Sequence, residues 1–191
     1  MKSIKGTETE KNLLTAFAGE SQARNRYSYF ASQAKKQGYE QVAAIFLDTA
    51  DNEKEHAKVL FKLLEGGEAA VSASFPAGVI ASTAANLQES ANGEKHEYAE
   101  MYPSFAEVAK KEGFSEIAET FLNIARAEMG HEKRFLTLKK NIDEGAVFKR
   151  GDKVVWRCRN CGYMHEGNEA PDECPACEQE QAYFEVFGEV Y

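Results

Sequence analysis

The stretch ADNEKEHAKVLF, residues 50–61, decides the fold of most of this chain. Its apolar residues recur every three or four positions, which predicts a helix with one face toward a core. Glu53 and His56 nevertheless fall on that apolar face. Burying a carboxylate and an imidazole without partners would cost several kcal/mol. The pattern therefore predicts that both side chains meet a partner inside the fold.

Helical periodicity extends over the first 145 residues. Thr7 and Glu10 form a capping-box pattern at the start of the first helix, and KKQG ends it near Gly38. Residues 68–83 contain Pro and Gly with weak periodicity, so we interpret them as a long connection. The four helices are predicted at about 7–38, from 41 to LLEGG at 63–67, at 83–112 and at 115–144. Two short turns with one long crossover between them predict an all-α four-helix bundle.

The helices also repeat in pairs. FLDTADNEKEHAKVLF (46–61) aligns with FLNIARAEMGHEKRFL (121–136), and each segment contains Glu-x-x-His. AKKQGYEQVAAIF (34–46) aligns with AKKEGFSEIAETF (109–121). Repeats of this length predict two helix pairs that are related by pseudo-two-fold symmetry around a central feature.

Each helix places a carboxylate on its inward face near mid-length, and two helices add a histidine one turn later. The residues are Glu20; Glu53 and His56; Glu94 and Glu97; and Glu128 and His131. One Glu-x-x-His pair alone is more often solvated, but converging carboxylates would repel and raise one another's pKa unless divalent cations lay between them. The joint pattern predicts a dinuclear metal site like that of di-iron and di-manganese bundles. The ligand types do not distinguish iron from manganese or zinc.

The third helix contains one residue more than the first between matching positions. Seven residues separate Glu20 from Tyr27, whereas eight separate Glu94 from Tyr102. Because eight residues overshoot one helix face by roughly 80°, we predict a π-bulge between Glu94 and Tyr102. A plain kink at Pro103 is the alternative.

Glu97 lies beside the predicted bulge, and its counterpart in the first helix is Ala23. We therefore predict a fifth carboxylate on one side of the site only, which would exchange with His56 as a metal ligand. Tyr27 and Tyr102 lie about two turns beyond the carboxylates of their own helices. They would donate hydrogen bonds to ligand carboxylates, or else pack as ordinary core aromatics. Glu97 and the two tyrosines are the candidates for catalytic roles.

All four cysteines, Cys158, Cys161, Cys174 and Cys177, lie in the last 34 residues with the spacing C-x2-C-x12-C-x2-C. This spacing predicts tetrahedral thiolate ligation of one ion. Short strands at KVVWRC and QAYFEVFG predict a small β-rich domain, which gives domains at 1–146 and 147–191. A structural zinc site is the ordinary interpretation of the spacing. The motifs CRNCGYMHEG and CPAC, with Trp156 nearby, resemble rubredoxin and favour iron.

Composition and short sequence patterns limit the possible binding partners and the location of the protein. A net charge of −8 disfavours nucleic acid and anionic membrane surfaces. No apolar run approaches the roughly 20 residues of a membrane span. The N-terminal MKSIKGTETEKNLL has no signal-peptide pattern, so we expect a cytoplasmic location. No G-x-G-x-x-G motif occurs, and we therefore expect a nicotinamide cofactor to bind a separate reductase.

A ferritin-like four-helix bundle with this ligand set, fused to a rubredoxin-like domain, resembles the rubrerythrin family over essentially the whole chain. The resemblance implies a non-haem di-iron site held by Glu20, Glu53, His56, Glu94, Glu97, Glu128 and His131, with a third iron on the four cysteines. It implies reduction of hydrogen peroxide to water in protection against oxidative stress, as an NADH-type peroxidase.

The resemblance also implies an electron route and an assembly. Electrons from a separate reductase or a rubredoxin would pass through the Fe(Cys)4 centre, between the chains of a head-to-tail homodimer. The alternative function is a ferritin-like ferroxidase with a structural zinc tail. The predicted tail argues against that alternative, because iron storage needs no dedicated electron input.

Overall fold

Five α-helices and one π-helix form the N-terminal part of the computed structural model, which describes residues 2–188. The helices are α1 (Glu8–Lys36), α2 (Glu40–Lys62), α3 (Thr83–His96), α4 (Tyr102–Lys111) and α5 (Ser115–Asp143). The π-helix Glu97–Met101 joins α3 to α4, so the extra residue is accommodated as predicted and not by a plain kink at Pro103. Helix α1 packs against α2, and α3 and α4 pack against α5. The predicted four-helix bundle is confirmed.

The long crossover is residues 63–82, which contain no helix or strand and are mostly exposed. No helix in the described part of the chain is long and apolar enough to cross a membrane.

The bundle interior consists of two apolar layers with a polar layer between them. One apolar layer includes Leu13, Leu60 and Phe121, and the other includes Phe30 and Phe46. Along the helices, the residues that separate the two layers are Glu20, Glu53, Glu94 and Glu128, each at most 1% exposed. The fold therefore buries four carboxylates at one level of the bundle.

Two reciprocal caps tie the helix pairs together. Glu112, just after α4, accepts hydrogen bonds from the Thr9 amide (2.8 Å), the Thr9 hydroxyl (2.5 Å) and the Glu8 amide (3.1 Å). Gln37, just after α1, accepts from the Thr83 amide (2.8 Å) and hydroxyl (2.6 Å). Gln37 and Glu112 are equivalent positions of the sequence repeat. Each helix pair thus supplies acceptors for the orphan amides that begin a helix of the other pair.

Replacing Glu112 by glutamine is expected to lower thermal stability at pH 7, and the deficit should shrink as the pH falls. Hydrogen bonds from the Thr9 hydroxyl, the Thr9 amide and the Glu8 amide lower the pKa of Glu112. A carboxylate with a lowered folded-state pKa stabilises the fold above its unfolded pKa, about 4.3 for Glu, and loses that contribution as the pH falls through the folded value. Thermal unfolding followed by circular dichroism across this range measures the effect.

The matched control is Gln37→Ala, which removes the uncharged counterpart of the same cap. Its stability deficit should stay constant over the same pH range, because Gln37 does not titrate. A pH-independent deficit in the Glu112→Gln variant would contradict the assignment of a charged cap.

The tail contains a three-stranded antiparallel sheet in the order β2-β1-β3. Its strands are β1 (Lys149–Cys158), β2 (Met164–Glu169) and β3 (Phe184–Val186), and a 3₁₀ turn (Gln181–Tyr183) precedes β3. The prediction missed β2 and extended the last strand over 181–188. MHEGNE lacks apolar alternation, so β2 forms through its ladder with β1 and not through its own pattern. The predicted small β-rich domain is confirmed.

The tail packs on the end of the bundle where α1 turns into α2. The ring of Tyr39 stacks on Phe148 with centroids 6.4 Å apart and an interplanar angle of 10°. Helix α5 ends at Asp143 and β1 begins at Lys149, on either side of the predicted boundary between 146 and 147. The outer limits of the two predicted domains, residues 1 and 191, lie outside the described residues.

Candidate metal centres

Two groups of metal-ligating side chains meet in the polar layer of the bundle. One group is Glu20, Glu53, His56 and Glu128, and the other is Glu53, Glu94, Glu128 and His131. Within each group the candidate ligand atoms lie within 4.8 Å of one another. Because Glu53 and Glu128 belong to both groups, the structure forms two adjoining metal positions.

The two shared glutamates have the geometry of bridging ligands. His56 Nδ1 lies 3.0 Å from Glu53 Oε2 and 2.9 Å from Glu128 Oε1. His131 Nδ1 lies 3.1 Å from Glu53 Oε1 and 2.6 Å from Glu128 Oε2. Each carboxylate therefore offers one oxygen to each metal position.

The other two glutamates each belong to one position. Glu20 Oε2 lies 3.7 Å from His56 Nδ1, and Glu94 Oε2 lies 3.7 Å from His131 Nδ1. The equal distances reflect the pseudo-two-fold symmetry of the repeat. Each position thus has one outer carboxylate, one imidazole and two bridging oxygens.

Two buried tyrosines orient the outer carboxylates. The Tyr27 hydroxyl of α1 donates to Glu94 Oε1 on α3, and the Tyr102 hydroxyl of α4 donates to Glu20 Oε1 on α1. Each hydroxyl reaches a carboxylate of the other helix pair. The second oxygen of that carboxylate, Oε2, stays turned toward the metal position. The predicted hydrogen bonds are present, and a catalytic role for the two hydroxyls stays a prediction.

Buried polar atoms in this layer lack hydrogen-bond partners among residues 2–188. The atoms are Glu20 Oε2, Glu53 Oε1, Glu94 Oε2, both Glu128 carboxylate oxygens and His131 Nδ1. Unpaired buried acceptors are costly, and buried charges are normally paired or bound to metals. Two divalent cations would pair these atoms and balance the formal charge of four carboxylates. The residues present therefore fit a pair of divalent metal ions.

The buried ionisable groups of this layer have strongly shifted pKa values. Burial raises the pKa of Glu20 well above its usual range and that of Glu94 to about 8. Burial opposes the charge on His131, but the facing carboxylates of Glu128, Glu53 and Glu94 raise its pKa to about 12. Burial likewise opposes ionisation of Glu53, but the facing imidazoles of His131 and His56 lower its pKa to about 2. Metal binding would displace these protons, since carboxylate and imidazole ligands bind metals in their deprotonated forms.

Asn52 is a functional residue that the sequence prediction missed. His131 Nε2–H donates to Asn52 Oδ1 at 3.2 Å, so loss of the other ring proton on metal binding would leave the lone pair on Nδ1, toward the metal position. The repeat gave no signal, because the counterpart of Asn52 is Ala127. The hydrogen bond fixes both the tautomer and the orientation of this ring.

Replacing Asn52 by alanine is expected to weaken ferrous iron binding in the bundle by about 10- to 100-fold, the usual effect of removing a group that orients a metal-bound histidine. Competition with a chromophoric chelator measures the affinity. Asn25→Ala is the control, because the exposed Asn25 amide donates only to the Ser21 carbonyl on α1. Equal affinities of the Asn52 variant and the wild type would contradict the positioning role.

Glu97 is the one predicted bundle ligand that the structure brings into neither group. It begins the π-helix and is partly exposed. Burial of its carboxyl group and the charges of Glu20 and Glu94 raise the pKa of Glu97 well above its usual range. Glu97 lies one helical turn after Glu94, and its role as an exchanging ligand stays a prediction.

The four cysteines of the tail form a second centre. Cys158 Sγ lies 3.7 Å from Cys177 Sγ, and Cys161 Sγ lies 3.7 Å from Cys174 Sγ. All four sulfurs lie within 4.8 Å of one another, and none forms a disulfide. A tetrahedral ion with metal–sulfur bonds of about 2.3 Å requires sulfur–sulfur distances of about 3.8 Å. The cluster therefore fits one tetrahedral ion.

Asn160, between the first two cysteines, was also missed by the prediction. A hydrogen bond with its side chain lowers the pKa of the Cys177 thiol to about 6. Because the thiolate is the form that binds metal, this contact favours occupancy of the site.

Fold and sites together define a ferritin-like bundle that carries a dinuclear carboxylate–histidine site and a four-cysteine tail. Residues 11–139 match the family model described as Rubrerythrin, and residues 156–185 match the one described as Rubrerythrin, rubredoxin-like domain. The chain belongs to the rubrerythrin family of oxidoreductases. The bundle site is therefore a di-iron site, and the tail carries a rubredoxin-like four-cysteine site.

Individual relatives match along nearly the whole length. The rubrerythrin of Nitratidesulfovibrio vulgaris is 63% identical over 188 residues, which cover 98% of each chain. The rubrerythrin of Porphyromonas gingivalis is 57% identical over 184 residues, covering 96% of this chain and 92% of its own. Among solved structures, nigerythrin in a mixed-valence state is 34% identical with a TM-score of 0.63, covering 97% of this chain and 89% of its own.

Proposed function

We propose that this chain reduces hydrogen peroxide to water at its di-iron site, with electrons drawn through an iron in the four-cysteine site. The observation that carries the proposal is the pair of metal positions bridged by Glu53 and Glu128. Two ferrous ions side by side supply the two electrons that cleave one O–O bond, in the balance H2O2 + 2 e⁻ + 2 H⁺ → 2 H2O. Protection against oxidative stress follows from removal of the peroxide.

The side chains of the site perform the positioning. Glu53 and Glu128 set the separation of the two positions, because each gives one oxygen to each. Tyr27 and Tyr102 hold the outer carboxylates in orientation through their hydrogen bonds. Both tyrosines are buried, and we propose catalytic roles for their O–H groups.

Glu97 supplies a fifth carboxylate beside the Glu20 position. We propose that it replaces His56 as a ligand when the positive charge of the site increases, since an anionic ligand balances that charge and a neutral imidazole does not. Crystal structures of the oxidised and reduced forms should show different ligands at this position. Identical coordination in both forms would contradict the exchange.

The electron route runs between chains in this proposal. The tail of each chain packs at the Tyr39 end of α2, where Tyr39 stacks on Phe148. Glu53 lies fourteen residues further along the same helix, a rise of about 21 Å. We propose a head-to-tail homodimer in which the partner's tail lies closer to the di-iron site. A separate reductase or a rubredoxin would deliver electrons to the tail.

Mixed dimers test this route. One chain carries Cys158→Ser and a first affinity tag, and the other carries Glu53→Gln and a second tag. Neither homodimer should sustain turnover, whereas the mixed dimer should recover part of the wild-type rate through its intact tail and its intact di-iron site in different chains. No recovery would count against transfer between chains.

The function itself is tested on anaerobically purified protein. Iron and zinc per chain are measured first, and peroxide consumption by the reduced protein is then followed against electrons lost. One peroxide consumed for every two electrons supports the proposal. The ferroxidase alternative would be favoured if the tail held zinc, the bundle held iron and no peroxide were turned over.

Four-thiolate metal sites persist in compartments where thiols stay reduced. This supports a cytoplasmic location for the protein.

A further inference from the structure

A cavity of about 510 Å³ lies between α1, the end of α3 with its π-helix, and the crossover. We call it the entry cavity. The lining residues on which the argument rests are Gly19, Arg26, Phe75, Gly93 and Glu97. Three separate segments of the chain therefore enclose one space beside the di-iron site.

Two residues that line the entry cavity are sequence neighbours of metal ligands. Gly19 and Gly93 immediately precede the outer ligands Glu20 and Glu94, and they are equivalent positions of the repeat. Glu97 lines the cavity and begins the π-helix three residues after Glu94, so it lies about one helical turn from an outer ligand. A molecule in the entry cavity would therefore contact Glu97.

Two glycines, which have no side chain, line the entry cavity. A Cβ on Gly19 would lie 3.7 Å from Phe75 Cε1, and a Cβ on Gly93 would lie 4.0 Å from Arg26 Nη2. Both are ordinary van der Waals distances, so alanine fits at either position. Glycine in a helix interior is otherwise unfavourable. The helical fold therefore does not require these glycines, and both of them line the cavity.

The outer wall is fixed by contacts to the crossover. Phe75 lies over Gly19, lines the cavity and is 36% exposed. Arg26 is held by Glu89 at 3.2 Å, and a Cβ on Gly78 would lie 3.1 Å from the same carboxylate. The arginine and Gly78 of the crossover therefore both lie close to Glu89, and Gly78 is three residues from Phe75 in the chain.

We propose that the entry cavity is the path by which peroxide reaches the di-iron site, and that Phe75 over Gly19 restricts the path to small hydroperoxides. The inference rests on the proposed function for its substrate. An alkyl hydroperoxide takes the same two electrons and two protons from the site and gives an alcohol and water. Its chemistry therefore allows the reaction, and its exclusion depends on the ring of Phe75 over Gly19.

The path is tested first by ligand binding, without turnover. Azide binding to the oxidised protein is followed by stopped-flow absorbance in the wild type and in Gly19→Leu, which places a side chain across the cavity. We expect the association rate to fall by about tenfold or more, the effect of roughly 1.4 kcal/mol in the barrier. The final azide spectrum and the iron content should be unchanged.

Gly130→Leu is the matched control. Gly130 also lies in a helix interior and immediately precedes a metal ligand, His131, but it lines a different cavity and a Cβ there would meet nothing within 4 Å. Its azide association rate should equal that of the wild type. If Gly19→Leu fails to bind iron, Gly19→Ala replaces it, and a slower association in the alanine variant is expected. Equal azide association rates in the Gly19 variant used and in Gly130→Leu would overturn the inference.

Selectivity is tested with Phe75→Ala. The ratio of tert-butyl hydroperoxide to hydrogen peroxide consumption should rise by about tenfold, within the range by which apolar pockets discriminate added methyl groups. Val79→Ala, on the same crossover and 75% exposed, should leave the ratio unchanged. An unchanged ratio in Phe75→Ala would overturn the role of Phe75. A wild type that reduces no peroxide would reject the proposed function, while the azide rates would still test the path.

Discussion

Replacing Glu128 by alanine is expected to abolish iron binding in the bundle while the tail keeps its iron. Glu128 is completely buried, and its two oxygens lie 2.9 Å from His56 Nδ1 and 2.6 Å from His131 Nδ1. The substitution therefore removes a ligand from both metal positions at once. Elemental analysis should find only the tail iron, and peroxide consumption should fall to the background of the iron-free protein.

Two further variants calibrate this result. Glu119→Ala, at an exposed position of the same helix, should bind iron and turn over as the wild type does. Glu20→Ala removes an outer ligand from one position, so it should lose less iron than Glu128→Ala. If Glu128→Ala kept both bundle irons, the assignment of Glu128 as a bridge would be wrong.

The inward carboxylates and histidines were predictable because helix periodicity is local. Glu53 and His56 are three residues apart, and that spacing alone places them on one face. The π-helix was equally predictable, since counting residues between Glu94 and Tyr102 reveals one too many for a regular helix. Both inferences need only the geometry of a single helix.

Contacts between helices were harder to predict from the sequence. Periodicity treats Glu20, Glu53, Glu94 and Glu128 alike, whereas packing makes two of them bridges and two of them outer ligands. The same holds for the tyrosines: Tyr27 bonds to the carboxylate of α3 and not to that of its own helix. Which partner is reached depends on how the helix pairs dock, and no local pattern encodes it.

Several single contacts between distant segments were missed altogether. Asn52 has no polar counterpart in the second half of the chain, so symmetry does not mark it. Gln37 and Glu112 end their helices in segments that read as ordinary polar turns, and only the docked fold brings them over the starts of other helices. Strand β2 likewise exists through pairing with β1. In each case the partner is distant in sequence.

Replacing Cys158 by serine is expected to remove the tail iron and to loosen the tail. The buried apolar cluster there is small and consists of Trp156, Cys158, Ala170, Cys174 and Phe184. A domain of this size depends on its metal for stability. Trp156 is the only tryptophan of the chain and is completely buried. Its fluorescence emission should therefore shift to longer wavelength in the variant.

The functional consequence separates the two metal centres. Sustained peroxide reduction, driven by NADH with a reductase and rubredoxin, should fall steeply in Cys158→Ser. A single turnover of chemically reduced protein should persist, because the di-iron ligands are untouched. Met164→Ala, at a 47% exposed position of β2, should keep the tail iron, the tryptophan emission and sustained turnover. Wild-type sustained turnover in Cys158→Ser would show that electrons reach the di-iron site without the tail. Loss of both assays would instead mean that the tail also supports the structure of the di-iron site.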